Sequence, residues 1–259
     1  LHVRSRRQRQ MCIRDREFNT VYVYEREQRW PWGHRNIVFA QRDGPIVYIK
    51  RSFYLNSPWQ KTLPVDPKGT AEISPYELWD LLKQYGKPVA ALSHTGATGM
   101  GPDWKIYEKF DYSSENVVEI YQGARVSYEG AGAPQPSVGF APNTHLNATG
   151  RVVNSASVPI ANFGKHANGT YQTALREGHN LGVFASSDHI SQHASYGGVY
   201  CKDFTREGII EGLDNRRTIA ATDKIYLNFT CKEKPLGSFI KTEEAPKFWV
   251  KVDGTSDFK

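Results

Sequence analysis

The chain has 259 residues and carries 33 Lys and Arg against 27 Asp and Glu, which gives a net charge of +6. Barrels and sandwiches of roughly 200 to 250 residues commonly form one domain, so this length allows a sizeable core. The longest apolar runs, PVAAL at 88–92 and LGVFA at 181–185, are far shorter than the ~20 residues of a membrane-spanning helix. A hydrophobic content of 39% excludes collagen-like and wholly disordered chains.

Most of the positive charge lies in residues 1–16, which contain six Arg and one Asp. This run resembles translated sequencing adapter, although a like-charge block is also typical of a disordered tail or a basic arm for nucleic acid. We therefore expect residues 1–16 to be non-native or disordered and to contribute nothing to the fold. The remainder is nearly neutral, so we predict no nucleic-acid partner and no membrane span. The N-terminus indicates no compartment.

The first elements alternate between short apolar strands and a helix. FNTVYVY (18–24) and NIVFA (36–40) are rich in β-branched and aromatic residues, as strands are. Ser74 and Glu77 form a capping-box pattern with Pro75 at the first helical position, which predicts a helix that stops at Gly86. PVAALSH (88–94) then has the composition of a fully buried strand.

The same alternation continues along the chain, with the strand NVVEIYQG (116–123), a helix in TYQTALREG (170–178), the strand LGVFASSDH (181–189), a helix over 206–216 capped by Thr205 or Asp203, and the strands TIAAT and IYLNF. Near-continuous apolar strands separated by helices indicate a parallel sheet with both faces covered, either open or closed into a barrel. The stretch 130–170 is predicted to be a loop insertion. Residues 226–259 are predicted to begin a β-rich extension.

Ionisable residues lie at or near the ends of several predicted strands: Glu25, His94, Glu119, Asp188 and His189, with His34 just before a strand and His193 shortly after one. In a parallel α/β barrel, the loops at the carboxyl ends of strands converge on the active site. Imidazole and carboxylate groups are the ligands of hydrolytic zinc, manganese or iron sites. The pattern therefore predicts a divalent metal site.

Each of these residues also has a plainer interpretation. A single His after an apolar strand is often a hydrogen-bonded core residue, and Asp188 and His189 can cap a turn. Glu119 is different, because a carboxylate in a buried strand is costly without a partner or a metal. Arg35 and Arg217 can bind an anionic substrate or pair with surface carboxylates. The sequence lacks a zinc-ribbon cysteine spacing, a serine-hydrolase elbow, a dinucleotide fingerprint and a Walker A motif.

Several longer blocks of the sequence stand in a fixed order along the chain: YE (24–25), GHRN (33–36), YELWDLLKQYGKP (76–88), SHT (93–95), MGPDW (100–104), VVEIYQGARVSYEGAGAP (117–134), GVFASSDHISQHASYG (182–197) and TREGIIEGLDNRRTIAATD (205–223). Together they resemble a family of bacterial proteins related to the PHP (polymerase and histidinol phosphatase) superfamily of metal-dependent phosphoesterases. The resemblance implies a distorted seven-stranded β/α barrel over residues 17–225. The opening His-x-His strand of the superfamily is not found before Glu25, so we expect a barrel that is incomplete at its N-terminus.

The resemblance also implies a site with two or three divalent metal ions. It implies the metal ligands Glu25, His34, His94, Asp188 and His189, and it places Glu119 in the strand that lines the site. We therefore count Glu119 among the expected ligands as well. The superfamily motif usually reads Asp-x-His, so either His189 or His193 can be the last ligand. Whichever of His189 and His193 is not a ligand could protonate the leaving oxygen, with His193 as our candidate. Arg35 or Arg217, with Arg217 as our candidate, could offset the charge of a small anionic substrate such as a phosphoester.

The expected function is therefore a metal-dependent hydrolase. The alternative is a non-catalytic binding module on the same scaffold, whose aromatic residues form a sugar platform. Its candidate residues are Trp30, Trp32, Trp59, Trp79 and Trp104.

Overall fold

The computed structural model describes twelve segments of the chain: residues 18–28, 30–47, 75–94, 96–97, 100–107, 110–111, 113–122, 125–126, 145–146, 152–153, 167–186 and 195–255. Of residues 122, 125–126, 145–146 and 152–153 it describes the backbone alone. The adapter-like residues 1–16 and most of the predicted loop at 130–170 lie outside these segments.

The described strands and helices follow one another in this order along the chain. They are β1 (Tyr22–Arg26), β2 (Arg35–Phe39), α1 (Tyr76–Tyr85), β3 (Val89–Ser93), β4 (Glu115–Gln122), β5 (Arg125–Val126), β6 (His145–Leu146), β7 (Val152–Val153), a 3₁₀ turn (Ala167–Gly169), α2 (Tyr171–Arg176), β8 (Gly182–Ser186), β9 (Tyr196–Val199), α3 (Arg206–Asp214), β10 (Thr218–Ala221), β11 (Tyr226–Cys231), β12 (Lys234–Pro235) and β13 (Phe248–Asp253). No described helix is both long and apolar enough to cross a membrane.

The principal sheet is open and mixed, with the strand order β1-β2-β3-β4-β8 and β5 paired to the end of β4. β1 pairs antiparallel with β2, and β2 pairs antiparallel with β3. Among the described strands of this sheet, β3 with β4 and β4 with β8 are the parallel pairs. The predicted β/α barrel is therefore wrong: the described part of the chain contains three short helices, too few to surround a barrel. The β1–β2 connection contains no described helix, which suits an antiparallel pair better than a parallel crossover.

Helices cover the two faces of this sheet, and we name the faces after them. On the α1 face, Leu78 and Leu82 of α1 pack against Ile37, Phe39 and Ala91 of the sheet. On the α3 face, Ile210 and Leu213 of α3 pack against Val38, Leu92 and Val117. All five residues of β3 are buried, which confirms the prediction of a fully buried strand.

A β-bulge changes which face the residues of β4 point to. Ala91 pairs with Glu115, but the next residue of β3, Leu92, pairs with Val117, so Asn116 is an extra residue in β4. Side chains alternate between faces along a strand, and one extra residue reverses that alternation. As a result Glu115 points to the α1 face, where it contacts Trp79, whereas Val117 packs on the α3 face.

The helix caps agree in part with the sequence prediction. At α3, the side chain of Thr205 accepts a hydrogen bond from the backbone N–H of Gly208, so Thr205 is the cap of the two candidates. At α1, Pro75 occupies the N-cap position and makes no side-chain cap. Ser74, the other half of the predicted capping box, lies outside the described residues.

The remaining strands form smaller sheets. β9 pairs with β10, and β6 pairs with β7. β11 lies between β12 and β13 in a three-stranded antiparallel sheet, in the region predicted to begin a β-rich extension. Every residue of β13 is exposed.

Candidate metal centre

Four ionisable side chains from separate strands meet on the α3 face of the principal sheet. Glu25 belongs to β1, His34 immediately precedes β2, His94 immediately follows β3, and Glu119 belongs to β4. Arg35 pairs with Ser93, so the two histidines are neighbours at the same end of the β2–β3 pair. The backbone N–H of His94 donates to the carbonyl of His34 at 3.1 Å, which continues the ladder past both strands.

Glu25, His34 and His94 have the geometry of a metal-ligand set. Oε1 of Glu25 lies 2.9 Å from Nδ1 of His34 and 3.4 Å from Nε2 of His94. One ligand atom from each of the three residues lies within 4.8 Å of the others. Bonds of about 2.0 to 2.2 Å to a shared cation place ligand atoms roughly 3 to 4 Å apart. Small movements would therefore let these three residues bind one divalent ion.

Glu119 contacts the other nitrogen of the His94 ring. Its Oε1 lies 3.0 Å from Nδ1 of His94, and its Oε2 accepts a hydrogen bond from the Ser186 hydroxyl at 2.6 Å. The Glu119 side chain is only 5% exposed, so these partners satisfy a carboxylate that burial would otherwise penalise. His94 is thus flanked by two carboxylates, one at each ring nitrogen.

The charges of the cluster are complementary. Burial opposes a charge on His94, but hydrogen bonds to Glu119 and Glu25 outweigh it and raise the pKa of His94 to about 10. Hydrogen bonds from His34 and His94 hold the pKa of Glu25 well below its usual range. At neutral pH the metal-free cluster therefore contains an imidazolium between carboxylates. A divalent cation that displaces this proton would change the formal charge of Glu25, His94 and Glu119 together from about −1 to about 0.

Arg35 lies on the opposite face and is 0% exposed, so neither sequence-based interpretation of Arg35 holds. Its Nε donates to Oε2 of Glu115 at 2.7 Å, and its Nη2 donates to the Tyr107 hydroxyl at 2.6 Å. Glu115 also accepts hydrogen bonds from Trp79 and Ser93. Burial opposes the charge of Arg35, but Glu115 and Tyr107 raise its pKa. This buried ion pair is a structural feature, and its guanidinium cannot reach a substrate.

Of the two predicted catalytic residues, Arg217 is described by the structure and His193 is not. Arg217 follows α3, and its Nη1 donates to Oε1 of Glu211 at 3.2 Å, which matches the surface-pairing alternative. His193 lies outside the described residues, as do Asp188 and His189. Ser186, the last residue of β8, is the nearest described position before them in the chain.

Sequence reasoning missed two contributors to these clusters. Ser186 supports Glu119, and no sequence motif assigns it that role. Glu115 is a second buried carboxylate in the same strand, and its position directly before the apolar run of β4 was the available signal. Sequence alone could not show that the two carboxylates face opposite sides, because the alternation is broken by the bulge.

Two of the described tryptophans that a sugar platform would use are buried in the core. Trp79 and Trp104 are 2% and 1% exposed and pack with Phe110 in the core. Trp32 is partly buried and contacts the rings of Tyr76 and Tyr107. Trp30 is partly buried, and Trp59 lies outside the described residues.

Comparison with known proteins yields no relative from which a role could be transferred. No protein-family model, no curated protein and no solved structure matches the chain.

Proposed function

We propose that this protein is a metal-dependent hydrolase in which Glu25, His34 and His94 bind a divalent cation. The observation that supports it is the convergence of one carboxylate and two imidazoles, from three strands, within 4.8 Å of one another. Two His and one Glu form the protein ligand set of several zinc hydrolases, in which a further coordination position stays open. A bound cation supplies Lewis acidity and lowers the pKa of water toward neutrality.

The protein residues supply the arrangement around that cation. Glu25 is 37% exposed at its side chain, whereas His34 and His94 are nearly buried, so the site has an open side at Glu25 and a closed side at the histidines. A substrate would approach from the open side. Burial and the contacts of the two rings with Glu25 and Glu119 restrict the imidazoles, so little entropy would be lost when they bind a metal.

The reaction class and the substrate class come from the sequence resemblance. We propose a small anionic phosphoester as substrate, and zinc, manganese or iron as the metal. The resemblance adds Asp188 and His189 to the ligand set, which would allow a second or third ion. His193 is then proposed to protonate the leaving oxygen, whereas Arg217, paired with Glu211, has no contact with the cluster in the described residues.

The test is a metal-binding and activity measurement on the purified chain. Chelator-treated protein is loaded separately with Zn²⁺, Mn²⁺ or Fe²⁺, metal content is measured by mass spectrometry, and hydrolysis of bis(p-nitrophenyl) phosphate is followed with and without chelator. We expect at least one ion per chain and hydrolysis that chelation abolishes. Metal content well below one ion per chain would reject the metal site. Full loading with no hydrolysis would reject the reaction.

A matched control shows whether metal loss is specific to the site or follows from the removal of any exposed carboxylate. Asp253→Asn removes an exposed carboxylate that pairs with Lys251 in the C-terminal sheet, and it should leave metal content unchanged. Glu25→Gln should lower the metal content, because it removes one of the three proposed ligands.

A further inference from the structure

We infer that Glu119 is a positioning residue that holds the Nδ1 proton of His94, so that Nε2 of this ring faces the cation, and that Ser186 holds Glu119 in place. The inference rests on the proposed function because it assigns a role within the same metal centre. It differs from the ligand role that we predicted for Glu119 from the sequence.

The two nitrogens of His94 face different groups. Nε2 lies 3.4 Å from Oε1 of Glu25, inside the ligand set, whereas Nδ1 lies 3.0 Å from Oε1 of Glu119. A neutral imidazole that binds a metal through one nitrogen carries its proton on the other. Metal-binding histidines usually donate that proton to a carboxylate or a carbonyl, which fixes the ring and raises its basicity. Glu119 is placed to accept it.

Ser186 restricts the carboxylate from the other side. Its hydroxyl donates to Oε2 of Glu119 at 2.6 Å, so the two oxygens of Glu119 have different partners. Glu119 and Ser186 belong to β4 and β8, which are hydrogen-bonded neighbours in the sheet. A carboxylate held between two such strands cannot easily rotate toward the cation, and this favours a positioning role over direct ligation.

The β-bulge in β4 explains why Glu119 reaches the site. Ser93 pairs with Val118, so the following residues of the two strands, His94 and Glu119, come side by side. The bulge lies before this pair and sends Glu115 to the α1 face, where it pairs with Arg35. Two carboxylates four positions apart thus serve opposite faces, and only Glu119 is directed to the metal ligands.

The experiment compares the Zn²⁺ affinity and the Co²⁺ absorption spectrum of variants of the full chain. Zn²⁺ affinity is measured by competition with a chromogenic chelator for wild type, Glu119→Gln, Glu119→Ala and Ser186→Ala, with Asp253→Asn as the control. We expect Glu119→Ala to weaken binding by about 10- to 100-fold, with a smaller loss for Ser186→Ala. The Co²⁺-loaded Glu119→Gln variant should keep the wild-type absorption bands, because the number of ligands does not change.

Proton NMR supplies a measurement that would stay unchanged if Glu119 had only a structural role. In Co²⁺-loaded wild type, proton NMR should show a strongly shifted, exchangeable signal from Nδ1–H of His94, and this signal should exchange faster with water in Glu119→Ala. Glu119→Gln is close in size to Glu119, so it remains informative if Glu119→Ala fails to fold. Circular dichroism checks folding.

The outcomes separate the two proposals. If wild type does not bind Zn²⁺ or Co²⁺, the proposed function fails and this inference fails with it. If wild type binds and the Glu119 variants bind equally well, only the positioning role is overturned. Co²⁺ bands in Glu119→Gln that indicate a lower coordination number would also overturn it, because Glu119 would then be a direct ligand.

Discussion

The imidazoles of His34 and His94 lie side by side, with ring centroids 6.1 Å apart and planes inclined by 35°. Their backbones are joined by a hydrogen bond from the His94 N–H to the His34 carbonyl. The two residues are separated by 60 positions in the chain, yet they occupy one end of an antiparallel strand pair. Because of this pairing, both imidazoles can bind the same cation.

Removal of either imidazole should abolish stoichiometric metal binding. His34→Ala and His94→Ala each leave two of the three ligands, and we expect Zn²⁺ affinity to fall by at least 100-fold, about 3 kcal/mol. Metal content after dialysis, measured by mass spectrometry, checks this. His179→Ala is a suitable control, because His179 lies elsewhere and its Nε2 contacts the Trp104 carbonyl. Equal metal content in all variants would show that the site is misplaced.

Metal affinity should increase with pH. The pKa of His94 is raised to about 10 in the metal-free protein, so a cation must displace a proton from this ring at neutral pH. Displacing one proton per ion makes the apparent affinity rise about tenfold per pH unit below that pKa. Glu25 stays ionised over this range because its pKa is lowered. Isothermal titration in buffers of different ionisation enthalpy measures the released proton, and an affinity independent of pH would contradict the expectation.

The metal-free protein should lose stability as the pH rises from about 6.5, the pKa of a histidine in an unfolded chain, to about 10. The pKa of His94 in the folded protein is about 10, so the folded state binds the extra proton over this interval. The resulting stabilisation is complete below the lower value and disappears as the pH passes the upper one. Urea unfolding at several pH values measures it. His94→Gln should remove this part of the pH dependence, and an unchanged profile in that variant would contradict the assignment.

Breaking the buried ion pair on the α1 face should destabilise the fold. Arg35→Met leaves Glu115 uncompensated in the core, and removal of one partner of a buried pair costs about 3–5 kcal/mol. We expect a lower urea midpoint for Arg35→Met, whereas the exposed pair of Lys87 with Asp43 should tolerate Lys87→Gln with little change. An Arg35→Met variant as stable as wild type would show that the pair contributes only packing.

The candidate site was predictable from the sequence only in part. Glu25, His34 and His94 were identifiable because each is an ionisable residue at the end of an apolar strand. The burial of Arg35 was not, because its partner Glu115 is 80 positions away and the strand order brings them together. Ser186 likewise becomes relevant only when β8 pairs with β4.

Local sequence determined the positions of the main strands and helices and the chemical types available to the site, since apolar runs and capping residues such as Thr205 act over a few neighbouring positions. Tertiary structure decided the direction of strand pairing, because an apolar strand such as β3 can be buried equally well between parallel or antiparallel neighbours. It also decided which face each carboxylate of β4 serves, because a bulge depends on the register with another strand and not on the residues of β4 alone.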